Sequence, residues 1–243
     1  MLELNKTKYL DSNSILSYRL FLSLTEQFKS SLVKISKTVE SSMISGIDNS
    51  SLIKNESDYM IELIRAYNFG VHLTLNGNEL DIEAVSISSI LYKTAQNLRK
   101  IAINYGVNVD LNFSGKHNLV LSNSEGLEAS LMSLGIALIE ALPGHNNNKL
   151  NIHLATHRCR YGIVAGIYIE DEFLTNDTLK KGRNLYGKVR QPLTNLSHSA
   201  SAGVFIADNI LGSLNLKLKT SHHKKLYGLG VVLSPISQLE LIK

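Results

Sequence analysis

Apolar residues recur at spacings of three and four through residues 12 to 45, with Phe21, Leu24, Phe28, Leu32, Ile35, Val39 and Met43 on one stripe, so the pattern predicts a long amphipathic helix. Gly46 and the polar run Asp48, Asn49, Ser50 supply a stop and a turn. Beyond them Ile53, Met60, Leu63, Ile64 and Tyr67 predict a second helix that ends near Gly70. Two helices bury little surface on their own. A hairpin with a full apolar stripe therefore needs a partner, most simply a second copy in a four-helix bundle, and this predicts a homodimer.

From residue 72 the pattern changes, which divides the chain into a helical hairpin over 1–71 and an α/β domain over 72–243. A short extended piece, His72 to Leu75, precedes a helix over 86–104. Val107, Val109, Leu111 and Phe113 alternate with polar Asn108, Asp110 and Asn112, and with Asn118 to Leu121 they predict a hairpin. Ser122 and Glu125 have capping-box spacing ahead of Leu127, Leu131, Leu134 and Leu138, a helix that ends before Pro143 and Gly144. Strands at 149–156 and 161–170, a polar stretch at 172–198, a helix at 200–211 and a closing hairpin complete the chain. The hairpin strands are Ser213 to Thr220 and Leu226 to Ser234, with a turn around His222, His223, Lys224 and Lys225. This α+β order predicts helices over one face of a mixed sheet, with the other face more open.

The 243 residues, 44% of them hydrophobic, suffice for a real core. No window reaches the roughly 18 apolar residues of a membrane span, and the start MLELNKTKYLDSNS has no secretory run, so a cytoplasmic protein without a membrane partner is expected. The single cysteine, Cys159, excludes an internal disulfide and a multi-cysteine zinc site. A net charge of +4 is small, and the basic residues cluster only at Lys180, Lys181, Arg183, Lys188 and Arg190. No aromatic residues interleave with them as base stacking requires, so a solvated polar loop is expected there and not a nucleic-acid surface.

The order of elements resembles the dimerisation and ATP-binding core of bacterial two-component sensor histidine kinases. Two segments carry the likeness. SLMSLGIALIEALPG at 130–144 is similar to the family's Asn-box helix, and ADNILGSLNLKLKTSHHKKLYGLGVVLSP at 207–235 is similar to its last helix and closing hairpin. The resemblance implies a hairpin that forms a four-helix bundle on dimerisation, followed by an α/β sandwich of histidine-kinase ATPase type. Bacterial histidine phosphotransfer proteins, which join a dimeric hairpin to a degenerate ATP-binding domain, share this design.

The family's chemistry is not matched by the residues present. Where an Asn-rich helix face holds magnesium and phosphates, this chain has Ser133 and Ala137, with Glu140 in place of a basic residue; alanine cannot ligate a cation and a carboxylate repels phosphate. The adenine-reading aspartate corresponds to Asp171, a relic reader or simply a polar strand end, while Phe173 and Thr175 replace the glycines that follow it. The second glycine-rich segment is reduced to Ser201, Ala202 and Gly203, where Gly203 serves a relic phosphate loop or helix packing. On the first helix, FLSLTEQFKSSLVKI at 21–35 resembles the phosphoacceptor segment with Glu26 at the histidine's place, and no histidine precedes His72. A phosphoramidate relay needs an imidazole there.

His153, His157 and Cys159 share one strand parity, but too few partners accompany them for a metal site to be expected, and His222 and His223 in a turn carry no assigned role. No nucleophile elbow, Walker loop or dinucleotide fingerprint occurs. The expectation is therefore a kinase-like protein with no catalytic residues, cofactor or metal. It would dimerise and dock a protein partner, a receiver domain or a kinase, through Glu26, Gln27, Lys29 and Ser30. The alternatives are a phosphotransfer relay protein and a divergent ATP-binding enzyme that uses Asp171.

Overall fold

A computed structural model describes residues 2–76, 81–113, 119–142, 150–186, 188–189 and 191–236. The hairpin consists of α1 (Leu2–Ser45) and α2 (Ser50–Asn76). Gly46 ends α1 at φ +70°, and the Asp48 carboxylate accepts the Ser50 amide, which holds it below the usual carboxylate range. The second helix passes through Gly70 and includes His72 to Leu75, which the pattern predicts as extended. Gly70 is buried there with no positive φ, so it works as a packing residue inside the helix and not as its stop.

The α/β part runs β1 (Glu83–Val85), α3 (Ile87–Ala102), a 3-10 turn (Ile103–Tyr105), β2 (Asn108–Phe113), β3 (Val120–Ser122), α4 (Ser124–Ala141), β4 (Asn151–Cys159), β5 (Gly162–Ile169), α5 (Asn176–Leu185), α6 (His198–Ser213), β6 (Lys219–His223) and β7 (Leu226–Leu233). Five strands form a mixed sheet in the order β2-β4-β5-β7-β6, with β2 parallel to β4 and the other neighbours antiparallel. The expected β2–β3 hairpin does not form. β2 pairs with β4, and the three-residue β3 pairs with β1. Alternation reports which face a strand buries and is silent on which strand it joins.

One face of the sheet, with Ile152, Leu154, Ala165, Ile167, Leu229 and Val231, packs into a single core with Leu91 and Leu98 of α3, Leu131, Leu134 and Leu138 of α4, and Val204 and Phe205 of α6. The N-cap of α4 is Asn123, one residue after the expected Ser122, and its side chain accepts the Gly126 amide. The polar stretch after β5 contains α5, capped by Thr175. The closing hairpin is shifted by several residues: β6 starts at Lys219, so His222 and His223 are strand residues and the turn is Lys224–Lys225, with Lys224 at φ +57°. Pro143, Gly144 and Asn118 lie outside the described residues. Among the described residues no helix is long and apolar enough to cross a membrane.

Candidate functional site at the junction of hairpin and domain

Buried polar positions on α1 and on α4 line the junction of hairpin and domain. On α1, Gln27, Ser31 and Lys34 recur at spacings of four and three on the face turned to the domain. On α4 the same spacing gives Ser133, Ala137 and Glu140. Gln27, Ser31, Ser133 and Ala137 are fully buried, and the Glu140 side chain is 6% exposed. The hairpin reaches this helix at Glu140, through Lys34 and Tyr59, while α6 covers Ser133 and Ala137.

Gly203 of α6 marks the closest approach. A Cβ on it would stand 3.0 Å from the Ser133 carbonyl oxygen, 3.1 Å from Ala137 Cβ and 3.3 Å from Gln27 Nε2. Three helices converge on this one position, so Gly203 is a helix-packing residue. Gln27 fixes the approach by donating from Nε2 to the Ser199 carbonyl at 2.9 Å. Neighbouring Ser201 is buried and donates to the Leu193 carbonyl. Ser197 caps the start of α6 by accepting the Ala200 amide.

The second half of the junction is an ionic latch. Lys34 Nζ lies 3.6 Å from Glu56 Oε1 and 3.7 Å from Glu140 Oε1, donates to the Tyr105 hydroxyl, and sits 4.6 Å from the Tyr105 ring centre. The Tyr59 hydroxyl donates to Glu140 Oε1 at 2.9 Å, and Asn55 Nδ2 donates to Asn104 Oδ1. Burial, reinforced by Glu140 and Glu56, pushes the phenols of Tyr59 and Tyr105 above their ordinary range, so both stay neutral. Glu140, which the resemblance sets at a phosphate-binding position, is here the domain's anchor for a lysine from the hairpin.

The other expected positions separate. Asp171 is half-buried in the bend after β5. Phe173 and Leu174 are buried in the main core, and the Phe173 carbonyl accepts Asn195 Nδ2. At the two positions that the resemblance aligns with glycines, Phe173 is a core anchor and Thr175 a helix cap. Of the basic cluster, Arg183 turns inward to a two-pronged pair with Asp208, both contacts at 2.7 Å, and donates to the Leu218 carbonyl; Lys180, Lys181 and Lys188 are exposed. Arg190 lies outside the described residues. Of the docking set, Lys29 is exposed and Ser30 half-buried, the Glu26 side chain lies outside the described ones, and Gln27 faces inward and is unavailable to a surface partner. Lys34 and Tyr59 escaped the sequence reading, because an amphipathic stripe does not tell a latch lysine from a solvated one.

On the outward side of the hairpin, Phe21, Leu32, Val33, Val39, Met43, Ile61 and Ile64 are exposed, and Leu32 and Val33 line a shallow groove with Phe28 and Lys29. The inner face is thus committed to the domain while an apolar outer face stays uncovered.

No protein-family model matches the chain, and no curated protein matches it. Among solved structures, full-length ShkA in complex with AMPPNP aligns with 77% of this chain at 11% identity and a TM-score of 0.53; the chain spans 38% of ShkA. The Acinetobacter baumannii histidine kinase AdeS aligns over 86% of this chain and 98% of its own, at 10% identity and a TM-score of 0.51. The α+β architecture, with its helical hairpin and mixed five-stranded sheet, is that of a histidine-kinase-like core.

Proposed function

We propose that this chain is a non-catalytic, kinase-like signalling protein that dimerises through its hairpin and docks a protein partner such as a receiver domain. One observation carries the reading: Glu140, which the kinase resemblance sets at a phosphate-binding position, is held by Lys34 and Tyr59 of the chain's own hairpin, while Gly203 of α6 packs on Ser133 and Ala137. A nucleotide at this face would have to displace a latch of two carboxylates and a lysine, and its phosphates would meet Glu140. Dimerisation is supported by the exposure of Phe21, Leu32, Val39 and Met43 of the expected stripe, although its Leu24 is buried in the chain's own core. Docking then falls to the exposed surface around Lys29 and Ser30.

Calorimetric titration with ATP and magnesium tests the reading, and no heat of binding is expected. Binding tighter than about 100 μM, near −5.5 kcal/mol, that is lost in Asp171→Ala would overturn it in favour of a nucleotide enzyme. Incubation with a phosphorylated receiver domain supplies the second arm. Complex formation without phosphate transfer is expected, and acid-labile phosphate on this chain would establish the relay reading instead.

A further inference from the structure

We propose that His157 and His223, on the outer face of the sheet, form an open binding site for a transition-metal ion of the zinc, copper or nickel class. The site is independent of the hairpin junction and of the function proposed above.

The fold brings together two residues far apart in sequence. His157 is on β4 and His223 is the last residue of β6, with β5 and β7 between them in the strand order. The tip of the β6–β7 hairpin returns over this face, so that Lys224 Nζ comes within 3.4 Å of Asn112 Oδ1 on β2, at the far side of the sheet. The same return sets His223 Nδ1 3.4 Å from His157 Nδ1, with ring centres 5.4 Å apart.

That separation has a specific chemical meaning. Two nitrogens each about 2.0–2.1 Å from a tetrahedral ion stand roughly 3.3–3.4 Å apart. A direct imidazole–imidazole hydrogen bond is ordinarily shorter, about 2.7–3.2 Å. The pair is also held in place before any ion arrives. His223 is 3% exposed, and the buried Tyr168 ring packs against both imidazoles while its hydroxyl bonds Ser221 Oγ at 3.2 Å. His157 is only half-buried, which leaves a path from solvent.

The ligand set decides the metal class. Imidazole nitrogens suit zinc, copper and nickel, whereas magnesium and calcium demand oxygen. Among the described residues no group of three or more His, Cys, Asp and Glu side chains converges, so the pair supplies two ligands and solvent completes the shell. This is the geometry of an exchangeable site, not of a closed structural one. His153 shares the face and lies 3.6 Å from Asp110 Oδ2, and Lys224 adds positive charge beside His223 that a bound cation must tolerate. His222 points elsewhere and packs edge-on against Tyr227, and Cys159 sits at the turn, where its sulfur accepts the Tyr161 amide.

The test uses the full chain, stripped with chelator and titrated calorimetrically with zinc, with magnesium as the control. One saturable equivalent of zinc and no magnesium are expected. His157→Ala and His223→Gln each weaken zinc binding about tenfold or more, whereas His222→Ala, at an exposed histidine, binds as the parent does. Cobalt gives a second readout in the same variants: the intense visible bands of a tetrahedral site are expected in the parent and absent from His157→Ala, whose circular dichroism confirms that it folds. No zinc binding by the parent, or binding undiminished in a folded His157→Ala chain, would overturn the site.

Discussion

Lys34 is the residue on which the junction turns, because among the described residues it is the one cation paired with both nearly buried carboxylates. Lys34→Met removes the charge and keeps the stem, leaving Glu56 and Glu140 without their counter-ion. Denaturant unfolding is expected to show a loss of about 2 kcal/mol, below the usual cost of breaking a buried pair because Lys34 is 39% exposed. Ser133 is the opposite case. Its hydroxyl is buried without a hydrogen-bond partner, so Ser133→Ala removes a desolvated polar group and should raise stability by about 1 kcal/mol in the same assay. Tyr59 links the latch to pH. Its folded-state pKa is raised, so its contribution is complete below the unfolded value near pH 10. As pH rises further, the unfolded chain releases the phenolic proton that the folded chain retains. The stability difference between the parent and Tyr59→Phe should therefore shrink by up to about 1.4 kcal/mol per pH unit above 10. The identities at Ser133, Ala137 and Glu140 were legible in the sequence, but the α6 cover of the first two and the hairpin partners Lys34 and Tyr59 of the third were not, since nothing local indicates which distant helix will cover a face.

At the scale of elements, periodicity located α3 and α4 and the end of α1 well because a 3.6-residue stripe is read within one segment, but α1 begins at Leu2, ten residues before the expected stripe. Strand pairing was read less well. The β2–β3 hairpin was inferred from proximity in sequence, yet β2 finds its partner in β4 beyond an intervening helix, a choice made by packing and not by local pattern. The polar segment holding α5 was missed for a related reason: of its ten residues only Leu179 and Gly182 are buried, too few to make a stripe. Glycines in β7 show how tightly strands can be specified. A Cβ on Gly228 would lie 2.0 Å from the Ile167 carbonyl oxygen, which is backbone in the adjacent central strand. Gly228→Ala must therefore move β5 or β7, and a loss of roughly 3 kcal/mol is expected from thermal or denaturant unfolding.

For the whole molecule, the α+β architecture and its likeness to a histidine-kinase core were legible because the order of elements is a property of the entire chain and survives about 10% identity. The hairpin's contact with its own domain was not, because an apolar stripe asks for a partner without naming one. The hairpin meets both demands by splitting its faces. Leu32, 56% exposed on the outer side, distinguishes the two. If the proposed dimer forms through this face, Leu32→Glu is expected to convert it to a monomer in light scattering while leaving the circular dichroism unchanged; a parent chain that is monomeric, or an unaltered dimer mass, would overturn this seam.

The latch has a geometric consequence for such a dimer. Lys34, Tyr59 and Gln27 tie each hairpin to its own α/β domain at both ends of the contact, so a protomer carries its domain on a fixed arm. Two arms joined at the bundle hold two identical surfaces at one set spacing. A partner that itself presents two matching sites at that spacing would meet the second at high effective concentration once the first is engaged, and one with the wrong spacing would gain nothing from the pair. The dimer would thus select partners by the distance between their sites as well as by the chemistry of each one.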